Sequence, residues 1–226
     1  MMKSICFIAF ISGLFLSGCN DTVGTIELKG KVLDEETKLV VPDRRIFVQV
    51  LERSGNTFVS RNAGEFYSDS SGCFTYRLKK VRNFCLYNFY VVGDSAYAFS
   101  NNKLGLPELK RDARFLTFYV RKLVDFTIKI NRKSKTPICD TLCVSWKSDG
   151  YYDETLYPFI IENHTINTNN SLRWIGGDIN STIKTKVFAD KMTIVYWELY
   201  RNGQCTEITD TIFCKRDVAQ HVSFTY

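Results

Sequence analysis

The chain reads as an all-β protein made of two β-sandwich domains in tandem. Short runs of β-branched and aromatic residues recur along its length, many alternating apolar with polar. Gly, Asp and Asn clusters fall between those runs at turn-like intervals. No window of ten or more residues offers an amphipathic helical stripe. A single sheet would leave one apolar face in water, whereas paired sheets bury it.

The elements follow in order. Ile26-Glu27-Leu28-Lys29 alternates, and Lys31-Val32-Leu33 leads into an acidic turn at Asp34-Glu35-Glu36. Ile46, Val48 and Val50 share one face of the next strand. Asp69 caps a tight turn with its side chain, and Gly72 supplies the backbone freedom the turn needs. Phe74, Tyr76 and Leu78 then share a face, and 84–92 and 115–120 are aromatic and β-branched strand runs. Leu104 to Arg114 has room for a turn or two of helix, which Pro107 limits.

One set of strands ends and another begins between Arg121 and Val124, which divides the chain into domains at 25–122 and 123–226. Phe126, Ile128 and Ile130 alternate with Asp125, Thr127 and Lys129. A long strand from Met192 to Tyr200 ends at Asn202-Gly203, a strong two-residue hairpin signal. Val222, Phe224 and Tyr226 close the chain, and no strong sequence repeat relates the halves.

With 45% hydrophobic and 24% charged residues the composition is that of a globular protein. The net charge of +6 is uneven: residues 24–122 hold 17 Lys/Arg against 11 Asp/Glu, and residues 123–226 hold 12 of each. An excess of that size keeps a domain soluble, and it also suits an anionic surface such as acidic glycan or lipid headgroups.

At the N-terminus, Lys3 precedes an apolar run from Ile5 to Leu16, and Leu16-Ser17-Gly18-Cys19 follows. The run is too short to cross a bilayer as a helix and has the form of a secretory signal. Its ending resembles the bacterial lipobox. That resemblance implies a signal peptide over 1–18, lipidation of Cys19 by palmitate-type acyl chains, and a tether over 19–24. Several acyl chains on one cysteine hold a domain stably on a membrane. The expected location is the bacterial outer membrane, with the periplasmic or outward side left open. An exported chain has no reason to meet nucleic acid.

Cys6 leaves with the signal, so six cysteines remain besides Cys19: Cys73, Cys85, Cys139, Cys143, Cys205 and Cys214. An even count in an oxidising compartment suggests disulfides. The simplest pairing joins Cys73 to Cys85 and Cys205 to Cys214. Cys139 and Cys143 would lie about 13 Å apart on a straight strand, too far to bridge. They can pair across a turn at Asp140, or with Cys205 and Cys214 instead. Their spacing is not that of a zinc site.

Gly30-Lys31-Val32-Leu33-Asp34, Pro42, Ile46-Phe47-Val48-Gln49-Val50 and Ser68-Asp69-Ser70-Ser71-Gly72-Cys73-Phe74-Thr75-Tyr76 make one pattern. It resembles the carboxypeptidase-regulatory-like family, a transthyretin-type β-sandwich common in lipoproteins of Bacteroides-like bacteria. The resemblance implies an accessory scaffold without catalytic residues over 25–122. The second half resembles no family beyond another sandwich.

Gly93-Asp94-Ser95 resembles the active-serine block of a family of serine esterases, whose base lies in a C-terminal Asp-x-x-His segment. Here Asp217-Val218-Ala219-Gln220-His221 has one residue too many, and no helix follows Ser95 to stabilise an oxyanion. No catalytic residue is assigned on that basis. Two histidines, His164 and His221, rule out a histidine-rich metal site, and Asp149, Asp153 and Glu154 read as a solvated turn. No metal and no cofactor are expected.

Tyr151, Tyr152, Tyr157 and Trp174 fall in polar, loop-like surroundings, where aromatics stack on sugar rings or anchor a protein partner. They are the candidate binding residues. Asp followed by Thr or Ser and an apolar residue occurs four times and resembles the O-glycosylation motif of exported Bacteroides-like proteins. Thr22, within Asp21-Thr22-Val23, is the candidate acceptor. The expected role is non-catalytic: a lipid-held envelope protein presenting a surface to glycan or a partner envelope protein. A structural or accessory subunit of an uptake or assembly complex is the alternative, and a serine esterase a distant one.

Overall fold

The computed structural model describes residues 24–54, 56–79, 85–105, 115–132, 140–148, 160–162, 166–168, 171–175 and 180–226. Every helix or strand among them is a strand. β1 (Thr25–Asp34), β4 (Cys73–Lys79) and β7 (Leu116–Val120) form a sheet in the order β4-β1-β7. β2 (Arg45–Ser54), β3 (Thr57–Tyr67), β5 (Cys85–Val91) and β6 (Ser100–Gly105) form another in the order β3-β2-β5-β6.

The alternation read from the sequence is what closes these two sheets on each other. Leu28 and Val32 face inward from β1, Ile46, Val48 and Val50 from β2, and Tyr87, Phe89 and Val91 from β5. Phe118 ties the layers together, stacking on Phe74 within its own sheet at 5.2 Å and on Phe89 of the opposite sheet at 5.4 Å. Gly30 sits between Phe74 and Leu116 in the register, and a Cβ there would lie 2.1 Å from the Leu116 carbonyl oxygen. Close strand approach, not turn geometry, demands this glycine.

The Asp69 turn forms as its chemistry predicts. Asp69 Oδ1 accepts the amides of Ser71 and Cys73 at 2.8 and 2.9 Å, and Gly72 takes φ +70°.

The rest of the chain builds a second pair of sheets. β8 (Leu123–Asn131), β10 (Ile160–Glu162), β13 (Asn180–Phe188) and β16 (Gln220–Thr225) lie in the order β10-β13-β8-β16. β9 (Thr141–Ser148), β11 (Ile166–Thr168), β12 (Ser171–Ile175), β14 (Lys191–Arg201) and β15 (Gln204–Cys214) lie in the order β11-β12-β9-β14-β15. Trp197 of β14 stacks on Phe224 of β16 at 4.6 Å across this core, and its indole Nε1 donates to Asp210 at 2.8 Å. Asn202 and Gly203, both with positive φ, make the hairpin between β14 and β15.

Setting β10 and β11 aside, both halves have the same topology. The first strand pairs antiparallel with the fourth and parallel with the last: β1 with β4 and β7, β8 with β13 and β16. In the facing sheet the order β3-β2-β5-β6 is matched by β12-β9-β14-β15, antiparallel throughout. The sequence shows no repeat because an in-out alternation, not residue identity, is what such a layout requires.

The halves meet at a built junction. Arg216, just before β16, donates from Nη1 and Nη2 to Asp34 at the end of β1, and from Nε to Asp190 in the β13–β14 turn. Lys191 pairs with Glu36 at 2.7 Å, and the Arg121 guanidinium, hydrogen-bonded to Glu35, lies over the Phe188 ring. Leu123, Ala98 and Phe188 form a small apolar cluster beneath. Burial alone would push the Asp34 carboxyl up. Hydrogen bonds from Arg216 and from the Thr37 and Glu36 amides outweigh that and hold it below the ordinary carboxylate range.

Two expectations are corrected. Cys205 and Cys214 are free thiols at opposite ends of β15, nine residues and about 30 Å of extended strand apart. Cys73 is also a free thiol. Its strand begins at the end of the sandwich where β5 finishes, since Asp69 bonds to Cys73 and Val92 to Arg45, whereas Cys85 starts β5 at the far end, opposite Glu52. Neither pair approaches the roughly 4.4–6.8 Å between Cα atoms that a disulfide needs. Leu104 belongs to β6, not to a helical turn; 106–114 and Cys139 lie outside the described residues.

Candidate functional site

Facing away from the core, the β3-β2-β5-β6 sheet carries a chemistry unlike an ordinary solvated face. Because successive side chains alternate, the residues between the core positions of β2 and β5 all point outward. The cross-strand register arranges them in two rows: Glu65, Phe47, Tyr90 and Asn101, and beside it Asn62, Gln49, Asn88 and Lys103. One row is centred on aromatic rings; the other is three amides and an ammonium. Neighbouring strands lie about 4.8 Å apart, so each row is about 14 Å long.

The aromatic row is extended by a loop. Asp94 Oδ1 accepts the amides of Ala96 and Tyr97 at 2.7 and 2.8 Å, and its other oxygen pairs with Arg44. Burial would push the Asp94 carboxyl up, but Arg44 and the two amides hold it low, so the cap stays ionised. A Cβ on Gly93 would lie 2.6 Å from the Phe99 amide nitrogen. Only glycine lets the chain fold back here, and that fold places Phe99 on Tyr90 with centroids 5.3 Å apart and rings 25° from parallel. Phe47 adjoins the other side of Tyr90 at 6.4 Å. Phe99 remains 38% exposed, and Tyr67 nearby 59%.

In the amide row, Asn88 donates from Nδ2 to the Tyr90 hydroxyl at 3.1 Å. Its Oδ1 is buried and accepts no hydrogen bond among the described residues. Asn62 is occupied at the bulge opposite Val48 and Gln49, accepting the Gly64 amide at 2.8 Å. Arg45 is held by Glu65, whose hydrogen bonds raise the guanidinium's affinity for its proton. Lys103 is exposed and has no ion-pair partner among the described residues. Flat rings beside amides and one unneutralised cation can stack on a ring-shaped ligand and hydrogen-bond its edge.

The sequence-predicted binding residues lie elsewhere. Tyr151, Tyr152 and Tyr157 are outside the described residues, as are Cys19, Thr22 and the Asp149, Asp153 and Glu154 cluster. Trp174 is in β12, with core residue Leu142 as its backbone partner, and not in a loop. Ser95 sits in the Asp94-capped turn and His221 on β16 opposite Thr127; no hydrogen bond joins them among the described residues. Among the described residues no cluster of three or more His, Cys, Asp or Glu is placed to hold a metal ion.

Phe47, Asn88 and Phe99 were not singled out from sequence. The available signal was Asn88, a lone amide inside the apolar run 84–92.

No family model matches the chain, and no curated protein matches it. Similar solved structures include a shaft pilin of Lactobacillus rhamnosus GG, 9% identical with a TM-score of 0.35 over 89% of this chain and 98% of that one. A candidate adhesin from Bacteroides ovatus is 8% identical with a TM-score of 0.38, over 90% of this chain and 91% of that one. A streptococcal ancillary pilin is 14% identical with a TM-score of 0.31, over 91% of this chain and 63% of that one. At these TM-scores the likeness is loose and assigns no family.

Proposed function

We propose that this chain is a non-catalytic cell-envelope lipoprotein that presents a binding surface for glycan or a partner envelope protein. The observation that carries the reading is the outward face of β2 and β5, where Phe47, Tyr90 and Phe99 stand together beside Asn88 and Lys103. Solvated sheet faces have no need of a stacked aromatic set. In this reading acyl chains on Cys19 anchor the protein in the outer membrane, and the first half is a carboxypeptidase-regulatory-like sandwich. The second half is another sandwich with the same strand layout.

A structural or accessory subunit is the second reading, favoured by the clamp of Arg216 on Asp34 and Asp190. A scaffold needs fixed geometry between its parts and no ligand of its own.

The test is a glycan array and an envelope-protein pull-down with the full chain. Phe99→Ala and Tyr90→Ser are compared with wild type, and Tyr152→Ala with Tyr157→Ala as a parallel set. Saturable binding lost in the first set, with melting unchanged, sustains the reading at this face. Loss confined to the second set moves the site to 149–159. Absence of any binding leaves the scaffold.

A further inference from the structure

We infer that the outward face of β3-β2-β5-β6 binds an acidic glycan, a polysaccharide segment bearing uronate-type carboxylates. The inference rests on the proposed binding role of that face and names its ligand. Four features of the face point to this ligand.

First, the stacked rings of Tyr90 and Phe99 offer an apolar platform near the C-terminal end of β5. Pyranose rings present an apolar C–H face to such platforms, while their hydroxyls project sideways. Second, those hydroxyls would meet the amide row. Gln49 and Asn88 are cross-strand partners, so two side-chain amides sit side by side. A hydroxyl both donates and accepts, and a carboxamide answers in both senses.

Third, Asn88 Oδ1 is a buried acceptor without a donor among the described residues, although the residue is 96% buried and its Nδ2 is satisfied. A buried carbonyl left without a hydrogen bond costs about 1–3 kcal/mol. A sugar hydroxyl supplies that donor once the side chains covering Asn88 swing aside. Fourth, Lys103 is the register partner of Asn88 and, at the end of the row, pairs with no carboxylate among the described residues. Other charges on and beside the two rows pair off, Arg45 with Glu65 and Arg44 with Asp94, each at 2.5 Å. The face is therefore net positive, as is the half that contains it, with 17 Lys/Arg against 11 Asp/Glu.

A protein partner fits less well. A protein-binding hot spot is a well-packed, fully desolvated cluster that surrounding contacts shield from water, whereas here Phe99 stays 38% exposed beside an exposed ammonium. Neutral glycan would satisfy the rings and amides but not Lys103.

The experiment is affinity electrophoresis of the full chain in gels holding polygalacturonate, a neutral glucan, or dextran sulfate. Wild type is run with Lys103→Gln, Asn88→Ala and Phe99→Ala, each checked by thermal melting. The expected result is retardation by polygalacturonate that weakens about tenfold in Lys103→Gln and in Phe99→Ala while melting is unchanged. Asn88→Ala serves as a third variant, and Lys103→Gln, at an exposed position, keeps the test valid if Asn88→Ala fails to fold.

Equal retardation by neutral glucan, dependent on Phe99 but not on Lys103, overturns the acidic ligand while leaving the face as a binding site. Retardation by dextran sulfate and polygalacturonate alike, insensitive to Phe99→Ala, shows bulk electrostatics and overturns the proposal. No retardation in any gel overturns the glycan, and the pull-down with the same Phe99 variant then decides whether the face binds at all.

Discussion

Arg216 closes both Nη atoms of its guanidinium on Asp34, at 2.8 and 3.0 Å, across 182 residues of sequence. Asp34 is 2% exposed and spends its remaining capacity on the Glu36 and Thr37 amides, so the charge is buried but fully satisfied. Removing one partner of such a pair is costly because the other charge stays buried. Arg216→Ala is expected to lose about 3–5 kcal/mol, read from chemical denaturation.

The same pair sets a pH dependence. Asp34 titrates below its ordinary value when folded, so its contribution is complete above the unfolded carboxyl's pKa of about 3.9 and is lost as pH falls through the lower folded value. The melting advantage of wild type over Asp34→Asn should therefore be flat from pH 7 to about pH 5 and shrink below about pH 4. An advantage that persists undiminished into stronger acid would refute the assignment.

Gly30→Ala is expected to destabilise by about 1–3 kcal/mol or more, since its methyl would meet the Leu116 carbonyl and the Phe74 ring. Gly203→Ala is the control. Nothing lies within 4 Å of the added carbon there, and its cost comes from positive φ alone. Equal losses in the two variants would mean that β1 and β7 are not so close.

Trp197→Phe keeps the stack on Phe224 but leaves Asp210 without its indole donor. A loss of about 1–3 kcal/mol is expected, and Asp210→Asn, which can still accept, should lose less. Denaturation midpoints followed by circular dichroism distinguish the two.

Thiol reactivity checks the corrected cysteine assignment. Cys205 is exposed and should label at once in the native protein, Cys73 more slowly, and Cys214 only on unfolding. Burial raises the Cys214 thiol's pKa against a smaller opposing hydrogen bond with Thr193, which further suppresses its thiolate. An intact-mass measurement showing Cys205 joined to Cys214 would contradict the strand that separates them.

The strands legible in the sequence are those with one face in a core. β1, β2 and β8 alternate because half of their residues are buried between sheets. β3 and β15 are edge strands, exposed on both sides over much of their length, and so show no period to read. For the same reason the continuous strand between Cys205 and Cys214, which keeps them from pairing, left no period to read. The candidate face escaped sequence reading because its rows run across strands: Phe47 and Tyr90 are 43 residues apart in sequence and adjacent only in register. Chemistry aligned perpendicular to the chain leaves no local pattern.

The parallel pairing of first and last strands, shared by both halves, has a geometric consequence. A chain that begins and ends a sandwich in the same direction enters at one end and leaves at the other. Thr25 therefore lies at the end of β1 away from the junction, and Tyr226 at the end of β8 away from it, bonded to the Asn131 carbonyl. Such modules add in line, each contributing up to about 30 Å of strand length to the reach from the N-terminus. The reach from Thr25 to Tyr226 is thus set by the number of modules, and the Arg216 clamp keeps the two from folding back on each other.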